Sequence, residues 1–288
     1  GVRLLDVNAD GFMDILTRRG GKEITRVWKP DTAEWNESPT PFSVVQQSVQ
    51  FAVLGNDNAA SAVSTAESLR AWTWRDGEWQ TNDAILAGLK GTLQPAATGK
   101  DRGLRFRDFD ADGVCELLAG RQVYRWDNAK KNWRADIELP DGCAVLDPEG
   151  RDAGLRFADL NGDGFDDVLF SDEAGYAIHL WAAKVRDDLG WKRGWSHPVA
   201  RKRRTADGWS AEKTPDDVPP FVRNGENNGA WFQGRRLVVQ NEDTMQLEAH
   251  TWIRNFEDLI AFPVPKPKSP EESLECLAPR PGFKVELV

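Results

Sequence analysis

"GLRFADLNGDGFDDVLF", residues 154–170, sets a knot of acidic side chains between an apolar lead-in and an apolar run. "GLRFRDFDADGVCELLAG", residues 103–120, nearly duplicates it, and "GVRLLDVNADGFMDILT", residues 1–17, is a third version. Carboxylates this close repel one another by several kcal/mol at low effective dielectric, so a threefold recurrence needs a physical cause.

Aligning on the lead-in gives four copies: "GVRLLD" from residue 1, "SVQFAV" from 48, "GLRFRD" from 103 and "GLRFAD" from 154. Their last residues, Asp6, Val53, Asp108 and Asp159, are 47, 55 and 51 residues apart. Each copy carries a second landmark downstream: "ITRVWKPDTAEW", "LRAWTWRDGEW", "VYRWDNAKKNW" and "YAIHLWAAKVRDDLGW". Period-two alternation, a polar turn and a return run ending in Trp predict a hairpin each time. Four short strands per repeat of about fifty residues predict an all-β fold, a β-propeller of four-stranded blades. Trp28, Trp74, Trp126 and Trp181 fall at matching places and are expected to pack between adjacent sheets.

The loops share one spacing. They read Asp6-x-Asn8-x-Asp10-Gly11-x-x-Asp14, Asp108-x-Asp110-x-Asp112-Gly113-x-x-Glu116 and Asp159-x-Asn161-x-Asp163-Gly164-x-x-Asp167. Side-chain oxygens at positions 1, 3, 5 and 9 converge, with glycine at position 6 for the sharp turn. A hard divalent cation would offset the repulsion, and Ca²⁺, which takes six to eight oxygens, fits better than Mg²⁺. The position-7 carbonyls of Phe12, Val114 and Phe165 are the natural extra ligands. An EF-hand is excluded, since position 12 is Thr17, Ala119 or Phe170 and a strand-like run follows each loop. The competing explanation for any one copy is an Asx-type turn; three copies in register favour about three calcium ions. The second repeat, "VLGNDNAASAV", has Val53, Gly55 and Ser61 at positions 1, 3 and 9 and is expected to be metal-free. Three Ca²⁺ would bring the formal charge from −9 to about −3.

The chain of 288 residues can bury a substantial core. Its acidic balance argues against nucleic acid as a partner. The basic run "RKRR" (201–204) is expected to be a solvated turn. No apolar run is long enough to span a membrane and no leader opens the sequence, whose abrupt start suggests a segment of a longer chain. Cys115, Cys143 and Cys276 have no metal spacing; a Cys115–Cys143 bridge is open, with free thiols preferred. The three histidines are too scattered for a zinc site.

The loops "DVNADGFMD", "DFDADGVCE" and "DLNGDGFDD" resemble those of the FG-GAP/VCBS repeat family, which includes the calcium-bearing blades of integrin α-chain propellers. The resemblance covers residues 1–200. It implies calcium loops at the blade edges and an interaction or scaffold module in an exported protein, periplasmic, cell-surface or extracellular, binding a protein or polysaccharide. Four repeats fall short of a seven-bladed ring, which upstream blades or divergent strands in residues 201–262 would complete. Residues 263–288 read as a Pro-rich linker and the start of a following domain. There "SPEESLECLAPRPGFKVELV" resembles the entry to a pyrroloquinoline-quinone sugar-dehydrogenase-like domain of large exported bacterial proteins, with Ser269 as N-cap and Pro270 at the first helical position. Three functions follow: a non-catalytic calcium-binding propeller, the N-terminal part of a quinone-dependent oxidoreductase, or a carbohydrate-binding propeller using Trp191, Trp195 or Trp209. The first is preferred, because no histidine neighbours a carboxylate motif and oxygen-saturated loops leave no open position for a substrate.

Overall fold

The alternation seen in the landmarks becomes strand pairing throughout. A computed structural model describes residues 1–46, 48–55, 58–65, 69–89, 103–185, 187, 190–212 and 217–261. The first repeat forms β1 (Val2–Leu5), β2 (Asp14–Arg19), β3 (Lys22–Lys29) and β4 (Glu34–Pro39). The second forms β5 (Val49–Val53), β6 (Ala60–Ser64), β7 (Arg70–Arg75) and β8 (Glu78–Thr81). The third forms β9 (Arg105–Arg107), β10 (Glu116–Ala119), β11 (Gln122–Asp127) and β12 (Asn132–Glu138). The fourth forms β13 (Leu155–Ala158), β14 (Asp167–Ser171), β15 (Gly175–Ala182) and β16 (Gly194–Arg203). Each repeat is a four-stranded antiparallel meander in chain order, so the fold is all-β and propeller-like.

A two-stranded pair follows, β17 (Val222–Arg223) and β18 (Glu226–Asn227), then a three-stranded sheet of β19 (Ala230–Phe232), β20 (Arg236–Val239) and β21 (Trp252–Asn255). The tail expectations for residues 263–288 fall outside the described residues.

Apolar residues collect between sheets because each sheet has two faces to cover. Val7, Leu16 and Val27 of the first meet Ala62, Trp74 and Trp79 of the second. Leu54, Val63 and Leu86 meet Leu117 and Trp133 of the third. Phe109, Leu118 and Val123 meet Val168, Trp181 and Trp195 of the fourth. The fourth then shares Leu169 and Ile178 with Phe221, just before β17, and with Leu237, Val239 and Trp252 of the last sheet. One core thus lies between each successive pair of sheets.

The landmark tryptophans lie on the third strand of each sheet, where each meets a second tryptophan from the fourth. Trp28 faces Trp35, Trp74 faces Trp79 and Trp126 faces Trp133 in register, with ring centroids 5.1, 5.4 and 5.7 Å apart. Trp181 and Trp195 make the fourth pair at 5.2 Å. Two of the partners also bridge blades: Trp79 Nε1 donates to Thr25 Oγ1 (2.9 Å) and Trp133 Nε1 to the Ile85 carbonyl (2.7 Å).

The basic run corrects one expectation. Arg201, Lys202 and Arg203 are the exposed end of β16, paired with Ala177, Tyr176 and Gly175, rather than a turn. Solvated charges suit a strand end as well as they suit a turn.

Candidate functional site

Each acidic loop joins the first two strands of its sheet, carrying the chain from β1 to β2, from β9 to β10 and from β13 to β14. The three loops have one backbone shape. Position 6 lies in the left-handed region in every copy, at φ +86° for Gly11, +87° for Gly113 and +87° for Gly164. Glycine adopts that region without a Cβ penalty.

The turn directs amides at the acids. Asp6 accepts from the Asp10 and Gly11 amides, at 3.2 and 2.9 Å. Asp108 accepts from Asp112 and Gly113 at 3.1 and 2.9 Å, and Asp159 from Asp163 and Gly164 at 3.0 Å each. At position 5, Asp10, Asp112 and Asp163 accept from the amides of Phe12, Val114 and Phe165. At position 3, Asn8 donates to Asp10 (2.8 Å) and Asn161 to Asp163 (2.9 Å). These are Asx-type bonds, and they hold each loop in a fixed shape.

Position 9 is buried. Asp14 and Asp167 are 0 % exposed and Glu116 3 %. Asp14 accepts from the Val7 amide (3.0 Å) and the Trp28 amide (2.9 Å). Asp167 repeats this with Leu160 (2.9 Å) and Trp181 (2.8 Å). Glu116 keeps only the first bond, from the Phe109 amide (3.0 Å). Asp14 and Asp167 therefore tie their loops to the third strand, on which the landmark tryptophan sits.

Burial leaves these acids reluctant to ionise. It pushes Glu116 up to about 8, with the charges of Asp110 and Asp112 adding to the effect and the Phe109 amide and Arg125 opposing it. Burial likewise raises Asp167 to about 6, against the pull of the Trp181 and Leu160 amides. Asp14 and Asp108 are shifted upward by the same cause. A cation beside such groups reverses this logic.

Two acceptor oxygens point to where positive charge is wanted. Asn8 Oδ1 and Asp110 Oδ1 are shielded from solvent and receive no hydrogen bond. In the second loop, carboxylate oxygens of Asp108, Asp110 and Glu116 lie within 4.8 Å of one another. The side-chain donors, carboxylate and amide oxygen, are hard oxygen, which fits Ca²⁺.

The second loop also contains a feature that loop spacing cannot reveal. Arg125 of β11 reaches Asp110 Oδ2 (3.0 Å), Asp112, and Glu116 Oε1 (4.0 Å). Arg193 comes from the next blade to Asp110 and Asp136. Arg125 occupies the place of Val27 and Leu180, one residue before the landmark tryptophan, and aligning the hairpins as well as the loops exposes the difference. In the second repeat, Ser61 and Thr73 fill the equivalent positions with a buried hydroxyl pair at 3.0 Å.

Cys115 and Cys143 are free thiols, and Cys276 lies outside the described residues. Trp195 and Trp209 are buried, Trp195 against Phe109 and Trp181 and Trp209 against Trp252. Trp191 is half-buried and stacks on His197 with ring centroids 4.0 Å apart. No described helix is long and apolar enough to cross a membrane.

No protein family and no curated protein matches the chain. Among solved structures it is similar to a lectin of Agrocybe aegerita that specifically recognises non-reducing terminal N-acetylglucosamine. That match has 15 % identity and a TM-score of 0.44, over 69 % of this chain and 50 % of the lectin chain. It is also similar to the TcdB2–TccC3 protein, at 15 % identity and a TM-score of 0.33, over 90 % of this chain and 14 % of that one. The chain thus spans about half the length of the lectin chain and far less of the second protein. At this level of identity and superposition the likenesses carry no functional argument.

Proposed function

We propose that this chain is a non-catalytic, calcium-binding propeller module of the FG-GAP/VCBS type, serving interaction or scaffolding in an exported protein. The observation that carries the reading is Asn8 Oδ1, a solvent-shielded acceptor with no donor, set among the carboxylates of the first loop. Asp6, Asn8, Asp10 and Asp14 would hold one ion, and Asp159, Asn161, Asp163 and Asp167 another. Asp108, Asp110, Asp112 and Glu116, in the second loop, form the remaining acidic set. Bound calcium supplies structural charge compensation, and the chain's own amides orient the acids that receive it. Millimolar extracellular calcium would fill even weak sites of this kind, which suits an exported setting.

Thermal unfolding with calcium and with a chelator tests the reading. Calcium at 100 times its dissociation constant stabilises by about 2.7 kcal/mol per site, so a clear rise in Tm is expected. Identical melting curves would remove the proposal.

Carbohydrate binding is a second reading. It rests on the exposed faces of Trp35 and Trp231, 41 % and 42 % accessible, and on the half-buried Trp191. Aromatic faces suit sugar stacking.

A further inference from the structure

We infer that Arg125 serves the second loop as a tethered cation, so that this loop binds calcium much more weakly than the first and third. The inference rests on the calcium reading above and refines it from three equivalent ions to two tight ones.

The sheet register carries the first part. Ser61 of β6 pairs directly with Thr73 of β7. Extending the other ladders by one residue places Asp14 opposite Val27, Glu116 opposite Arg125 and Asp167 opposite Leu180. Cross-strand neighbours project from the same face of a sheet, so the residue opposite position 9 shares the hollow of the loop. The four repeats fill this pair of positions in three ways. Aspartate faces an aliphatic residue in the first and fourth, serine faces threonine in the second, and glutamate faces arginine in the third.

The contacts carry the second part. The Arg125 guanidinium touches positions 3, 5 and 9 of its loop through Asp110, Asp112 and Glu116, the acids a metal would gather. Arg193 adds a second guanidinium on Asp110, anchored by Asp136 and by the face of Trp181 at 5.5 Å. Two guanidiniums bring the formal charge of one divalent ion. Among the described residues, no Lys or Arg forms an ion pair with Asp6, Asp10, Asp14, Asp159, Asp163 or Asp167. Arg235 does reach the third loop, but it donates to the backbone carbonyls of Asp159 and Leu160 and leaves the carboxylates alone. The Asp110 side chain is 10 % exposed, so its contacts with the two arginines are shielded from solvent screening.

For calcium to enter, Arg125 must give up its charge-assisted bond to Asp112 and its ion pair with Asp110. Loss of one such bond corresponds to roughly 10- to 100-fold in affinity.

Calcium stoichiometry on the whole chain, by equilibrium dialysis with elemental analysis and by titration calorimetry, tests this. The native chain is expected to hold two tight ions and Arg125→Val three, whereas Arg125→Lys, which keeps the charge, stays at two. In the native background Asp6→Ala and Asp159→Ala should each remove one tight ion and Asp108→Ala none, a comparison that does not depend on Arg125→Val folding. Three ions of equal affinity in the native chain would overturn the inference while upholding calcium binding. A folded Arg125→Val that stays at two would also overturn it. No calcium in any variant would overturn both readings.

Discussion

Asp167 accepts from the Leu160 and Trp181 amides, and Asp14 does the same with Val7 and Trp28, so one side chain ties together backbone groups from two strands. Spacing along the chain singles these acids out as candidate ligands of a loop, because the loop is local. It could not reveal the amides fourteen residues further on, which become neighbours only once the sheet forms. The same limit hid Arg125, whose charge matters through its cross-strand neighbour Glu116. Substituting Asp167→Asn keeps the shape but replaces one acceptor oxygen with a donor facing a buried amide. The expected cost is about 1–3 kcal/mol in urea unfolding, present with chelator as well as with calcium. A cost that vanished in chelator would assign Asp167 to metal binding alone.

At the scale of the element, the repeat was legible because two periodicities coincide: alternating apolar residues and a Trp-turn-Trp signature every fifty residues or so. Both report directly on a hairpin. The later strands, β17 to β21, carry no such coincidence; "NGAWFQGRRLVV" alternates only briefly, and its pairing depends on burial against Leu169 and Ile178. The fourth-strand tryptophans do more than fill space, since Trp133 donates to the Ile85 carbonyl across a blade boundary. Trp133→Phe retains most of the buried ring and leaves that carbonyl without its indole donor. It should destabilise the protein by about 1–3 kcal/mol, read as a lower urea midpoint with an unchanged slope.

In the whole molecule, each sheet shares a core with its neighbours in sequence, so local events spread mainly to adjacent blades, as in other repeat architectures. Chelation should therefore act unevenly. Hydrogen exchange is expected to accelerate in β1 to β3 and β13 to β15, which flank the first and third acidic loops, and to change least in β5 to β8, where Ser61 stands in place of the position-9 acid. Uniform acceleration across all four sheets would contradict the blade-by-blade assignment. The paired indoles add a spectroscopic consequence. Two tryptophans held about 5 Å apart at a fixed tilt couple their electronic transitions, and four such pairs recur here, one per blade. The folded chain should show an exciton couplet in its circular dichroism, and replacing a single indole per sheet would let each blade's hairpin be followed by its own light absorption.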